Sequence, residues 1–167
     1  MNIIIGNCIS FVSAIFTITS SLQKEKEKIY FYQVLQCGAM VIASFFFVSY
    51  SGVCTFFLCT IRNYLLMKDR YDTKKCILFM FAIGILGVLS NNRGWLGMIP
   101  VIGSLIYTYG TLICHKSIPI KINIMINLLM WAIYEGMILD FVSTIIDGSS
   151  AIITLVSIGK EKRAEAL

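Results

Sequence analysis

The sequence predicts an all-α integral membrane protein: seven transmembrane helices arranged as two parallel three-helix repeats joined by a linker helix, a three-plus-one-plus-three plan. Three observations lead there. Long apolar runs, each near the roughly 20 residues that cross a bilayer, are separated by short charged clusters. Hydrophobic residues make up 57% of the chain and charged ones 14%, with a mean hydropathy of +0.81, which is too little polar surface for a water-soluble domain of this size. The basic residues also collect in alternate loops. A membrane β-barrel would show short alternating strands in place of continuous apolar runs. A soluble, all-buried helical domain is the remaining alternative.

The first helix is expected over about 2–22. Its start, "MNIIIGNCIS", has no basic n-region, so a retained helix is expected and not a cleaved leader. After "KEKEK" a second helix covers about 29–49, and the "SYSG" turn leads into a third over about 51–67. "KDRYDTKK" precedes the shortest, about 76–91, and "NNRG" leads to the fifth, about 95–114. "HKSIP" introduces the sixth, about 119–138, and the seventh covers about 140–159, ahead of the polar tail "KEKRAEAL". Alternating the loops between two sides puts Lys24, Lys26, Lys28, Lys68, Arg70, Lys74, Lys75, Lys116, Lys121, Lys160, Lys162 and Arg163 on one side. The other side receives Arg93 alone, and Arg62 falls inside a span. Because cytoplasmic loops carry the excess of Lys and Arg, the N-terminus is expected outside and the C-terminus in the cytoplasm.

Superposing Gly6 on Gly97 without a gap also superposes Ser13, Thr17 and Ser20 on Ser104, Thr108 and Thr111, Gln36 on Asn127, and Asn63 on Thr154. The first three helices would thus repeat as the last three. The expected divisions are 1–67 for the first repeat, 68–94 for the linker helix and its loops, 95–159 for the second repeat, and 160–167 for a cytoplasmic tail. Parallel repeats about an axis along the membrane normal are a known transporter plan; chance agreement between two similarly biased triplets is the other explanation. Ser13, Thr17 and Ser20 share one helix face, as do Ser104, Thr108 and Thr111, and as do Ser143, Asp147, Ser150 and Thr154. Such stripes serve close helix packing or line a solute path equally well.

Arg62, Glu135 and Asp147 stand out, because ionisable side chains at bilayer depth are costly and mark paths or paired sites. Glu135, in "WAIYEGM", lies near the outer end of its helix, as an interface residue or a pathway mouth. Asp140 is expected in the outer loop. Asp147 would lie about 10 Å below the outer interface at the helical rise of 1.5 Å per residue. Arg62 sits slightly beyond the midplane, able to snorkel to the cytoplasmic surface or to face the bundle interior. Inside, its planar fork of donors suits an anionic or hydrogen-bonding solute, or neutralises Asp147 directly or through water. The candidate binding residues are Arg62, Asn63, Asp147, Ser150, Thr17 and Thr108, with Glu135 and Pro100 as gating or mouth residues.

No catalytic device is evident, so no enzyme activity is expected. His115, beside Lys116, has no Cys or carboxylate partner in view. The six cysteines lie scattered in apolar runs without a CxxC pair, which points to small hydrophobes and not to disulfides or a metal site. No cofactor is expected, and a formal charge of +5 explained by membrane topology gives no reason to expect nucleic acid. The partners implied are the lipid bilayer, a small polar or anionic solute and, as an option, a second copy of the chain.

"YSGVCTFFLCTIRNYL" resembles the third helix of the YgjV-like bacterial inner-membrane proteins, with its small-residue turn, apolar run and Ile-Arg pair. "IPVIGSLIYTYGTLIC", "WAIYEGM" and "TIIDGSSAIITLVS" resemble that family's fifth, sixth and seventh helices, so the resemblance covers nearly the whole chain in order. The family commonly has Glu where Asp147 stands and often His-Asn where Tyr134 and Glu135 stand. The resemblance implies location in the bacterial inner membrane. It also implies distant kinship with the SWEET and PQ-loop membrane proteins, whose full-length members share the three-plus-one-plus-three plan and include sugar facilitators; the PnuC-like group, which takes up vitamin precursors, is related by architecture. Neither substrate carries over, since the prolines of the SWEET pattern are mostly absent and no PQ dipeptide occurs. The function expected is transport of a small polar solute by a facilitator or secondary carrier. The alternative is a non-transporting receptor, scaffold or assembly protein held together by a buried Arg/Asp network.

Overall fold

The computed structural model describes residues 2–138 and 140–165. Among them are seven α-helices: α1 (Asn2–Leu22), α2 (Lys26–Phe46), α3 (Tyr50–Met67), α4 (Thr73–Leu89), α5 (Met98–Ile113), α6 (Ser117–Met137) and α7 (Phe141–Glu165). No strand occurs among the described residues. Several ends differ from expectation for local reasons. α2 starts earlier because the charged "KEK" segment joins its first turn, with Glu27 placed favourably at the positive end of the helix dipole. It stops at Phe46, where Val48 turns to φ 53. α4 also starts early, because the Asp72 carboxylate accepts the Lys75 backbone N–H at 2.8 Å and fixes an N-cap. α5 starts late: Asn91 donates to the Gly94 carbonyl and accepts from the Arg93 backbone N–H, and Gly94 at φ 57 completes a turn. The tail expected from residue 160 is helical to Glu165, with Lys162 and Arg163 at the favourable C-terminal end of the dipole.

The expectation of seven transmembrane spans is overturned. Four helices are long and apolar enough to cross a membrane: Ile3–Leu22, Lys26–Phe46, Ser117–Met137 and Phe141–Arg163. α4 and α5 have 17 and 16 residues, about 25 Å at the helical rise, against a hydrocarbon core of about 30 Å. α3 has 18 residues, but Arg62 and Asn63 in its interior reduce its apolar character.

Packing runs α1 on α2, α2 on α3, α3 on α5, α5 on α6, α6 on α7 and α7 on α1. Six helices therefore close a ring, and α4 packs on α3 and α5 from outside. Polarity is inverted relative to a water-soluble bundle. Ser10, Ser13, Thr17, Thr55, Arg62 and Asp147 are buried, while Phe11, Phe45, Leu78, Phe81, Ile145 and Ile152 are exposed. This is the arrangement of a bundle whose solvent is lipid, where interior hydroxyls bond neighbouring helices and the outer face needs no polarity.

Side-chain contacts define two ends. At one, Lys26 pairs with Asp69 at 2.7 Å and Lys121 with Glu161 at 2.7 Å. At the other, Ser10 donates to Asp140 at 3.4 Å, and Arg93 and Asn92 donate to the Phe47 and Val48 carbonyls at 3.1 and 2.9 Å. Lys121, expected as a loop charge, is buried on α6 at 1% exposure, where Glu161 and the Ser157 hydroxyl satisfy its ammonium.

Candidate functional site

Arg62 projects from α3 into the ring and is 2% exposed. Its Nη1 donates to Thr108 Oγ1 on α5 at 2.6 Å, and that hydroxyl donates onward to the Ser104 carbonyl at 2.6 Å. Nε and Nη2 both donate to Asn63 Oδ1, at 3.2 and 3.1 Å. The guanidinium carbon lies 4.4 Å from the centre of the Tyr107 ring, a cation–π contact. Asn63 is itself held by donating to Cys37 Sγ at 3.6 Å. Three N–H groups of five are thus engaged by neutral acceptors. Among the described residues no carboxylate lies within 4.0 Å of this guanidinium; the ion pairs are Lys26–Asp69, Lys28–Glu25, Lys75–Asp72 and Lys121–Glu161. The direct Arg62–Asp147 pair that the sequence allows does not form. Snorkelling does not occur either.

Arg62, Asn63, Asp147 and Thr17 line one cavity inside the ring, together with Gln36, Tyr107, Asn127 and Trp131. About 40 Å³ of it is open to the centre of a water molecule. Asp147 is 8% exposed and has no hydrogen bond or ion pair to another described residue. Asn127 Oδ1 is buried and unpartnered on the same wall. Polar space of this kind is what a membrane interior keeps for buried ionisable groups.

A second, smaller cavity, with about 10 Å³ open to the centre of a water molecule, lies nearer the Asp140 end, lined by Ser44, Ser49, Phe56, Trp131, Tyr134, Glu135 and Asp140. Phe56 and Trp131 border both cavities. Their rings stack with centroids 4.2 Å apart and planes 26° apart, and Trp131 meets Tyr134 edge-on at 5.9 Å. Tyr134 is fixed in turn by a 3.0 Å hydrogen bond to Ser49. Asp140, expected in a loop, is 1% exposed and accepts from the Ser143 backbone N–H at 3.1 Å and from Ser10. Burial pushes its carboxyl above the ordinary carboxylate range, against the pull of those hydrogen bonds.

The structure thus brings Arg62, Asn63, Asp147 and Thr17 to one cavity, with Thr108 behind Arg62. Glu135 lies in the other cavity. Ser150 is fully buried with an unpartnered hydroxyl and lines neither. Pro100 is buried in the first turn of α5, also away from both. Sequence reasoning missed Tyr107 and Trp131, whose only signal was aromatic character in an apolar run. It had Gln36 and Asn127 in register with one another without assigning them to a site.

A family model with the description "Bacterial inner membrane protein" (Imp-YgjV) matches residues 4–165. No curated protein matches the chain, and no solved structure matches it.

Proposed function

Because the chain belongs to this family of bacterial inner-membrane proteins, we propose that it moves a small polar solute across that membrane, as a facilitator or secondary carrier, through the interior of the helix ring. One observation carries the proposal. Arg62 and Asp147, a base and an acid, are both buried and border one cavity without pairing. Structural glue would bring them into contact, since an uncompensated buried charge costs several kcal/mol. A solute offering an anionic or hydrogen-bonding group to the free N–H groups of Arg62, and a donor to Asp147, would compensate both. The receptor or scaffold reading is less favoured for the same reason. With about 40 Å³ open to water, this conformation is closed, and passage requires the ring to open.

The proposal includes orientation and kinship. The end carrying Lys26, Arg70 and Lys74 faces the cytoplasm, which places the N-terminus outside and the C-terminus inside. The distant relation to SWEET and PQ-loop proteins that the resemblance implies is part of the same reading, and no chemical reaction is assigned. Purified protein in liposomes, screened against sugars, nucleosides and small organic anions, tests it. The expected result is uptake of at least one class above empty liposomes, reduced about tenfold or more by Arg62→Ala, the loss of one charge-assisted contact. No uptake of any class, or uptake unchanged in Arg62→Ala, would overturn it.

A further inference from the structure

The smaller cavity holds a buried acid with no partner among the described residues. Glu135 is 2% exposed, its Oε2 has no partner, and its side chain makes no hydrogen bond to another described residue. The charged groups near enough to act on it are Asp147 on α7 and Asp140 in the α6–α7 turn. On its own helix the titratable neighbour is Tyr134, whose hydroxyl is occupied by Ser49. The walls that α2 and α3 contribute carry no titratable side chain, and no cation lines the cavity.

Glu135 and Asp140 line one cavity that no cation lines, and two carboxyl groups so placed in a low-dielectric interior cannot both be ionised. Asp140 has donors for its charge: the Ser143 backbone N–H and the Ser10 hydroxyl. Asp147 borders the roomier cavity, which Arg62 also lines. Glu135 has neither. A merely structural buried acid would donate its proton to a nearby acceptor, as buried polar groups generally do, and Glu135 has no such acceptor.

We propose that Glu135 is an exchangeable proton-binding site, loaded from the Asp140 end of the bundle. The step is reversible uptake of one proton by the Glu135 carboxylate, drawn from solution through the Asp140 turn. The stacked Phe56 and Trp131 rings border both the cavity of this acid and the one bordered by Arg62 and Asp147. The inference deepens the transport reading by naming the coupling ion, and its test needs no solute.

Dicyclohexylcarbodiimide attacks neutral carboxylic acids in apolar surroundings. The acid proton passes to a diimide nitrogen while the carboxyl oxygen bonds to the central carbon, and the adduct rearranges to a stable acylurea. Full-length protein in liposomes is treated between about pH 6 and pH 9 and the adduct located by peptide mass spectrometry. An adduct on Glu135 is expected, its yield falling about fivefold or more once the pH is raised far enough to ionise the acid. Glu135→Gln abolishes it, Glu135→Asp retains it, and Asp140→Asn shifts the pH at which it is lost. If wild-type protein that is monodisperse by size exclusion gives no Glu135 adduct, or the same yield at every pH, the proposal is overturned. Failure of every solute to be taken up, with this titration intact, would remove the transport reading and leave the proton site standing.

Discussion

Asn63 stands where an acidic residue would ordinarily face a buried arginine. Its amide oxygen accepts two N–H groups of Arg62 without cancelling the positive charge, so the guanidinium is oriented while its charge stays available to the cavity. Two consequences follow at this position. Asn63→Leu removes that acceptor and should lower stability by about 2 kcal/mol, the scale of a hydrogen bond to a charged group, read as reduced thermal stability in detergent. Asn63→Asp instead supplies a carboxylate partner; it should keep or raise stability yet depress uptake by occupying Arg62. A variant that retained full uptake would show that the free charge is not used. Arg62, Asn63, Thr17 and Asp147 were legible in the sequence because polar side chains inside apolar runs carry a cost that demands a role. Trp131 and Tyr107 were not, because an aromatic ring in such a run suits a lipid-facing position equally well. The spacing of Arg62 and Asp147 was also out of reach, since it depends on how α3 and α7 sit in the ring, not on their depth.

Individual helices are fixed by few contacts, and these are open to test. Asp72 caps α4 through the Lys75 N–H, which holds its carboxyl below the usual carboxylate range. A carboxyl depressed in the folded state contributes stability above its ordinary value, near about 4, and loses that contribution as pH falls through the lower folded value. The protection factor of the Lys75 amide, its exchange rate relative to the intrinsic rate at the same pH, should therefore fall on acidification, and Asp72→Ala should show low protection across the whole range; equal protection in the variant and the parent would sink this account. α6 and α7 are joined by the pair of buried Lys121 with partly exposed Glu161. Glu161→Gln should cost about 3 kcal/mol by stranding the ammonium, while Lys121→Met with Glu161→Leu should recover most of that loss in the same unfolding measurement. α5 approaches α6 so closely that a Cβ at Gly110 would collide with the Asn123 amide, which donates to the Tyr107 carbonyl. The sequence showed seven helices in order but misjudged which could span. The turn of Asn91 and Gly94 removes the expected first turn of α5, and turn chemistry of that kind reads only as a loop of uncertain length.

Across the molecule, the two ends differ in charge and the flank is apolar, so insertion has a direction as well as a depth. A reporter active only in the cytoplasm, fused after Leu167, should be active if the basic end faces inward, and an inactive fusion in a stably produced protein would reverse the assignment. The same global asymmetry sets the optical character of the protein. The chain has two tryptophans. Trp95 is 89% exposed and Trp131 4%, the latter stacked on Phe56 between the two cavities. Replacing Trp95 with Phe would leave a single indole at the partition itself. Its emission wavelength and its quenching by neighbouring groups would then follow opening of that partition in real time, so the molecule carries a native fluorescent probe at the point where its interior divides.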